Sequence, residues 1–317
     1  MNEIIQNFRS PPKPAGIPSN QPCWWWIGLV ALLAWLPPAG AAQQSPLNRL
    51  LQDSQTKTYQ APSPDELKQV EYLFRQAFTG AARPAQRAAW AALGFTVERV
   101  TEKQQVFTVI REQPNQRQGR GLYIFALAAA GAPILQAPHA LDDKHTGAIA
   151  IALLAEGGFM AGAWSTAPRR YENEDDEVVK DSDMAHQPDS YFIAFSRAAA
   201  AAQPASAILQ LHGFSNAKRK TDIGRRANVI VSAGQHQPTP AAEQVVGCLR
   251  NLMNYALLYP TEVKELGALT NQIGQALRTL ERSSFVHIEM NQPLRDQVNA
   301  DPSVRQRVGA CLLKAHP

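Results

Sequence analysis

Ile134-Leu135-Gln136-Ala137-Pro138-His139-Ala140-Leu141-Asp142-Asp143-Lys144-His145-Thr146-Gly147 is the stretch whose reading decides the fold. A short apolar run stops at a proline, and a turn dense in polar side chains follows. A helix is then expected over 146–156, ended by Gly157-Gly158, and a second apolar strand over 159–164. Strand, helix and strand in succession are the grammar of a parallel sheet. The pattern continues downstream. Strands are expected over 207–211, 228–232 and 285–290, and helices over 189–202, 240–258, 263–267 and 302–314. Upstream, Ser63-Pro64-Asp65-Glu66 starts a helix carrying Leu67, Val70, Leu73, Phe74 and Phe78 at helical spacing. A second helix over 84–93 and strands over 95–100, 105–110 and 121–127 follow. The sequence therefore predicts an α/β fold with a mixed, largely parallel sheet flanked by helices. It predicts one domain over 63–317, of which 63–130 is an N-terminal helix and strand extension.

The N-terminus reads differently. Arg9 and Lys13 precede an uncharged apolar run from Trp24 to Leu36, which ends in Pro37-Pro38 and the small residues Ala39, Gly40, Ala41 and Ala42. A basic lead, a short apolar core and small residues predict a secretory signal peptide over 1–42 and a periplasmic or secreted protein. The run is short for a membrane span, which needs about 20 residues; an uncleaved anchor is the alternative. No second apolar run of spanning length follows, so no stable membrane span is expected after cleavage. Residues 43–62, rich in Gln, Ser and Pro, read as a linker. Cys248 and Cys311 remain once Cys23 leaves with the signal. In an oxidising compartment they are candidates for a disulfide, with two buried thiols as the alternative.

Composition excludes several classes. The chain has 317 residues, 45% hydrophobic and 18% charged, as a globular protein does. Its net charge of +4 is scattered rather than gathered on one face, so no nucleic-acid partner is expected. Lys218-Arg219-Lys220 with Arg225-Arg226 reads as a solvated loop. Gly-x-Ser-x-Gly, phosphate-loop and dinucleotide glycine motifs are absent, which argues against a serine hydrolase or nucleotide enzyme.

Chemistry gathers at predicted strand ends, where open α/β sheets bind ligands. His139 and a carboxylate three or four residues on, Asp142 or Asp143, can face one ion from a tight turn. His212, at the end of another strand, is the best third ligand. Two imidazoles and a carboxylate suit zinc with an open position for water. One of the two aspartates can instead serve the helix start. His287 and Glu289 alternate onto one face of a strand. A carboxylate within an apolar strand needs a partner or a task, and general acid–base work beside a metal is such a task. Arg170, beside Arg169, and Arg295 are candidates for gripping a substrate carboxylate, and His186 for lining the pocket.

His139 with Asp142 or Asp143, then His212 after an apolar strand, then a late Glu289, resembles the zinc carboxypeptidase superfamily, in particular its N-formylglutamate amidohydrolase-like and desuccinylase-like branches. The resemblance spans roughly 131–297. It implies a zinc-carboxypeptidase-like fold and a zinc ion held by the His–carboxylate pair and the later His, with Glu289 as catalytic base. The second ligand is Asp here rather than the superfamily's Glu, and only Asp142 matches its spacing. The expectation is an exported zinc-dependent hydrolase of amide or peptide bonds, acting on an N-acyl amino acid or a small or cell-wall peptide. The alternative is an exported, non-enzymatic binding protein on the same fold with a degenerate site.

Overall fold

The computed structural model describes residues 45–80, 84–126, 131–173, 177–281 and 285–315. The expected signal peptide lies outside the described residues. In chain order the elements are α1 (Pro46–Asp53), α2 (Pro64–Phe78), α3 (Pro84–Ala92), β1 (Phe95–Glu102), β2 (Gln105–Glu112), β3 (Leu122–Ala126), β4 (Ile134–Ala137), α4 (Thr146–Glu156), β5 (Ala161–Trp164), β6 (Tyr171–Glu172), β7 (Val178–Val179), α5 (Tyr191–Ala202), β8 (Ile208–Phe214), α6 (Asp222–Arg226), β9 (Val229–Ser232), α7 (Pro240–Leu249), β10 (Ala256–Leu258), α8 (Gln272–Thr279), β11 (Phe285–Asn291), α9 (Gln292–Ala300) and α10 (Pro302–Leu312).

Nine strands form one mixed sheet in the order β1-β2-β3-β5-β4-β8-β11-β9-β10, and β6 and β7 pair in a separate ribbon. The central four, β5-β4-β8-β11, run parallel. Antiparallel pairs extend the sheet on one side through β3, β2 and β1, and β9 pairs antiparallel with β11 on the other. The sequence expectation of a mixed, largely parallel α/β sheet flanked by helices holds.

Period-2 alternation sorts the strands' side chains onto two covered faces. On one, Leu135, Leu209, Leu211, Val286 and Ile288 pack with residues of α1, α4, α7, α9 and α10. On the other, Ile134, Ile208, Phe285 and Tyr123 pack with residues of α2, α3, α5 and α8. Burial on both faces is why the central strands read as apolar runs. The exceptions, described below, all fall on the second face. α2 begins as its sequence promised: Ser63 Oγ accepts from Glu66 N, and Glu66 Oε2 accepts from Ser63 N at 2.7 Å.

Several expectations are corrected. Residues 46–53, read as linker, form α1, whose Leu47 and Leu51 are buried in the core. Glu102 holds that helix through Ser45 Oγ (2.7 Å) and Leu47 N (3.0 Å). The helix expected over 240–258 ends at Leu249, and Ala256–Leu258 becomes a strand parallel to β9. The apolar run there satisfies strand pairing better than continued helix across the turns at 250–254. The helix expected over 263–267 is displaced to α8, which Asn271 caps. α9 was not foreseen, because only Leu294, Arg295 and Val298 of its nine residues are buried.

Cys248 on α7 and Cys311 on α10 are bonded, with Cα atoms 5.3 Å apart. The denatured, unreduced full-length chain should therefore label at Cys23 alone, and at three cysteines after reduction. Labelling of Cys248 or Cys311 without reduction contradicts the bridge. Replacing both by serine should cost about 2–4 kcal/mol of unfolding free energy, measured by denaturant titration.

Candidate metal centre

In-register parallel strands place same-face residues side by side. Gln136 on β4 lies opposite Gln210 on β8, and Gln210 and His212 lie opposite His287 and Glu289 on β11. These are the second-face positions at which the apolar pattern of Ile134, Ile208 and Phe285 gives way to polar side chains. All are buried. They sit toward the carboxyl ends of the central strands, where a ligand site is expected.

The turn after β4 supplies the other half. Asp143 N donates to His139 O at 2.9 Å, closing one helical turn that brings the Asp143 carboxylate back beside the His139 ring. Asp143 Oδ2 lies 3.4 Å from His139 Nδ1 and 3.6 Å from His212 Nδ1, and accepts from Gly213 N at 2.9 Å. Ligand atoms about 2.0–2.2 Å from a tetrahedral zinc lie about 3.3–3.6 Å from one another. The two distances are compatible with ligands sharing one ion, and the donor set of two imidazoles and a carboxylate could hold zinc. Asp142 is exposed and turns away, its Oδ2 accepting from Arg169 N at 2.8 Å. Asp143 is therefore the carboxylate of the pair.

Each histidine's other nitrogen is engaged. His139 Nε2 meets Asp183 Oδ1 at 2.9 Å, and Asp183 also receives Arg169 Nε at 2.7 Å and faces His186 Nδ1 at 3.1 Å. His212 Nε2 meets Gln210 Oε1 at 3.3 Å. Such partners orient metal-ligating imidazoles and raise their basicity. Burial alone would depress the His139 pKa, but Asp143 and Asp183 outweigh it and push it up to about 9. Burial likewise works against ionised Asp143 and Asp183, yet their hydrogen bonds with histidine hold both well below the usual carboxylate range. His212, buried and near cationic His139, is pulled down to about 4 despite Asp143. Burial and the neighbouring His212 and His139 charges put His287 well below its ordinary value.

His212, His287 and Glu289 form a second potential ligand group that shares His212 with the first. Glu289 Oε1 is 3.6 Å from His287 Nε2, while Glu289 Oε2 is buried with no hydrogen-bond partner among the described residues. Burial first, and the Asp143 charge second, raise the Glu289 pKa to about 8.

The remaining candidates are placed differently. Arg170 is exposed, and its neighbour Arg169 is the arginine that reaches the cluster. Arg295 is buried and bonded to two backbone carbonyls, Met290 O at 3.2 Å and Lys144 O at 2.5 Å. It packs so closely on Gly213 that a Cβ there would lie 2.5 Å from its Cζ. Arg295 thus clamps the 138–145 turn to the end of β11. His186 is about half exposed, bridging Asp183 and Thr270 Oγ1 (3.2 Å). Asp183, Arg169 and Gln210 were not foreseen as site residues. A signal existed for Asp183 in its spacing three residues before His186, and for Gln210 in a polar side chain inside an apolar strand.

Compared with protein-family models and with curated proteins, the chain finds no match.

The geometry fixes an expected ranking for metal content measured by elemental analysis. His139→Ala, His212→Ala and Asp143→Ala should each lose the ion, since two remaining ligands do not hold it. Asp142→Ala should retain it. Loss in Asp142→Ala with retention in Asp143→Ala would contradict the ligand assignment.

Proposed function

We propose that the protein is an exported, zinc-dependent hydrolase of amide or peptide bonds, acting on an N-acyl amino acid or a small or cell-wall peptide. One observation carries this reading: three ligand atoms within reach of one ion stand beside a buried carboxyl group, Glu289, that has an oxygen with no hydrogen-bond partner among the described residues. The order of the motif residues resembles that of the zinc carboxypeptidase superfamily and supports it, although the His139–Asp143 spacing is one residue longer than the superfamily's.

His139, Asp143 and His212 would hold the ion. When bound, zinc supplies a Lewis acid for the scissile carbonyl and acidifies water toward about pH 7. The protein's own part is proton transfer. Glu289 accepts a proton from the attacking water as the new C–O bond forms, and delivers it to the nitrogen as the C–N bond breaks. Its burial keeps it from being a weak base of ordinary carboxylate strength, and a neighbouring cation would bring it down from about 8 toward neutrality. Buried His287 stays neutral at Glu289's side and adds no competing charge. Arg169 stands in place of Arg170 as the arginine that reaches the cluster through Asp183, suited to a substrate carboxylate or the developing oxyanion. Its Nε is held by Asp183.

Glu289→Gln tests the reading, because it keeps shape but cannot accept a proton. Zinc content should remain, and turnover of N-acyl amino acids or short peptides should fall about 10²–10⁴-fold. Undiminished turnover contradicts the mechanism. Absence of turnover in both forms, across a panel of both substrate types, is the result of a binding protein.

A further inference from the structure

A chain of buried amides runs from the cap of α8 to the metal ligands. Asn271 Oδ1 accepts from the backbone N–H groups of Ile273 (3.0 Å) and Gly274 (3.1 Å). Backbone donors cannot be reversed, so the orientation of the Asn271 amide is fixed and its Nδ2 must point the other way. Nδ2 donates to Gln210 Oε1 at 2.7 Å. That fixes the Gln210 amide in turn, and its Nε2 donates to Gln136 Oε1 at 2.9 Å. Gln136 Nε2 donates to Ser196 Oγ at 2.8 Å, whose hydroxyl donates to Phe192 O at 2.8 Å. Gln136, Gln210 and Ser196 are fully buried and Asn271 nearly so, which leaves no solvent to absorb a reversed member. Every donor in the relay points away from the helix cap.

His212 sits on this relay. Its Nε2 faces Gln210 Oε1, an acceptor that Asn271 already holds in place. Two acceptors facing each other in a buried site are unfavourable, so Nε2 must carry the proton. A neutral imidazole has one N–H. Nε2 is within hydrogen-bond reach of its acceptor at 3.3 Å. Nδ1 stands 3.6 Å from Asp143 Oδ2, which already accepts from Gly213 N. Nδ1 therefore keeps a bare lone pair facing the carboxylate, a repulsion that a cation between the two would relieve.

We infer that Asn271 and Gln210 are positioning residues that set the tautomer of His212, so that Nδ1 is presented to the metal position without a proton to displace. The consequence for metal affinity rests on the reading above; the tautomer itself does not.

Two substitutions of one atom each separate this role from a general structural one. Asn271→Asp keeps the oxygen that caps α8 but replaces the donor with an acceptor. Gln210 must then turn its Nε2 toward the introduced carboxylate, presenting N–H to His212 and forcing the proton onto Nδ1. Gln136 and Ser196 can follow, since a hydroxyl donates or accepts. Gln210→Glu keeps an acceptor toward both His212 and Asn271, with Gln136 turning its amide to donate. Both changes place a carboxylate near the site, so a charge effect would act alike in both.

In the metal-free full chain, nitrogen-15 NMR of the imidazoles reads the tautomer. Wild type and Gln210→Glu should show His212 protonated at Nε2, and Asn271→Asp at Nδ1. In zinc titrations, Asn271→Asp should bind about 10–100-fold more weakly, and Gln210→Glu, which keeps an acceptor on His212 Nε2, should bind at least as tightly as wild type. A folded Asn271→Asp with the Nε2–H tautomer and wild-type zinc affinity overturns the inference, as does a tautomer switch in Gln210→Glu. If Asn271→Asp switches the tautomer while wild type binds no zinc, the relay stands and the metal reading fails.

Discussion

Asp143 Oδ2 faces two imidazole nitrogens across 3.4 and 3.6 Å inside the protein, and most of the surrounding structure serves to make that placement tolerable. A buried carboxylate is costly without partners. Gly213 gives it a backbone N–H, and the strand register that brings Gly213 there also brings His212 to Asp143 and Glu289 to His212. Gly213 is small because the Arg295 side chain passes against it. Arg295 in turn ties the carbonyl of Lys144 to that of Met290, closing the turn that carries Asp143.

The two faces of the central strands divide the labour. One face, packed with α4, α7, α9 and α10, is apolar and sets the spacing of β4, β8 and β11. The other gives up apolar packing at the carboxyl ends, where it holds a polar layer under α5 and α8. Its amides, from Ser196 through Gln136 and Gln210 to Asn271, are satisfied by one another and by backbone groups at either end. Satisfied buried networks rigidify their surroundings, and here the network ends on His212, a member of the candidate metal-binding group. The 138–145 turn is pinned as firmly: Ala140 N donates to Ser165 Oγ at 3.0 Å, and Asp142 takes the backbone N–H of Arg169.

Much of this was legible in the chain. His139 follows β4, while His212 and the His287–Glu289 pair lie inside β8 and β11 as polar interruptions of apolar runs, and alternation alone puts His287 and Glu289 on one face. The choice between Asp142 and Asp143 was not legible. Both lie on a turn outside any regular element and both backbone N–H groups reach His139 O; only the tertiary partners, Gly213 N for Asp143 and Arg169 N for Asp142, separate the two carboxylates. Asp183 comes from a long loop whose path no periodicity encodes. The same holds for Arg169 against Arg170, adjacent residues of which only Arg170 is exposed. Gln136 and Gln210 were hidden by their apolar neighbours, and α1 and α9 by how few apolar residues each contributes. Ala256–Leu258 was read as helix because a three-residue apolar run carries no period of its own.

Anomalous diffraction from crystals of the zinc-soaked protein, recorded on both sides of the zinc edge, tests the central claim most directly. A single peak is expected within about 2.0–2.2 Å of His139 Nδ1, His212 Nδ1 and an Asp143 oxygen, with Glu289 adjacent but not bonded to it. A peak held instead by His212, His287 and Glu289, or none in this cleft, would contradict the assignment of both the ligands and the base.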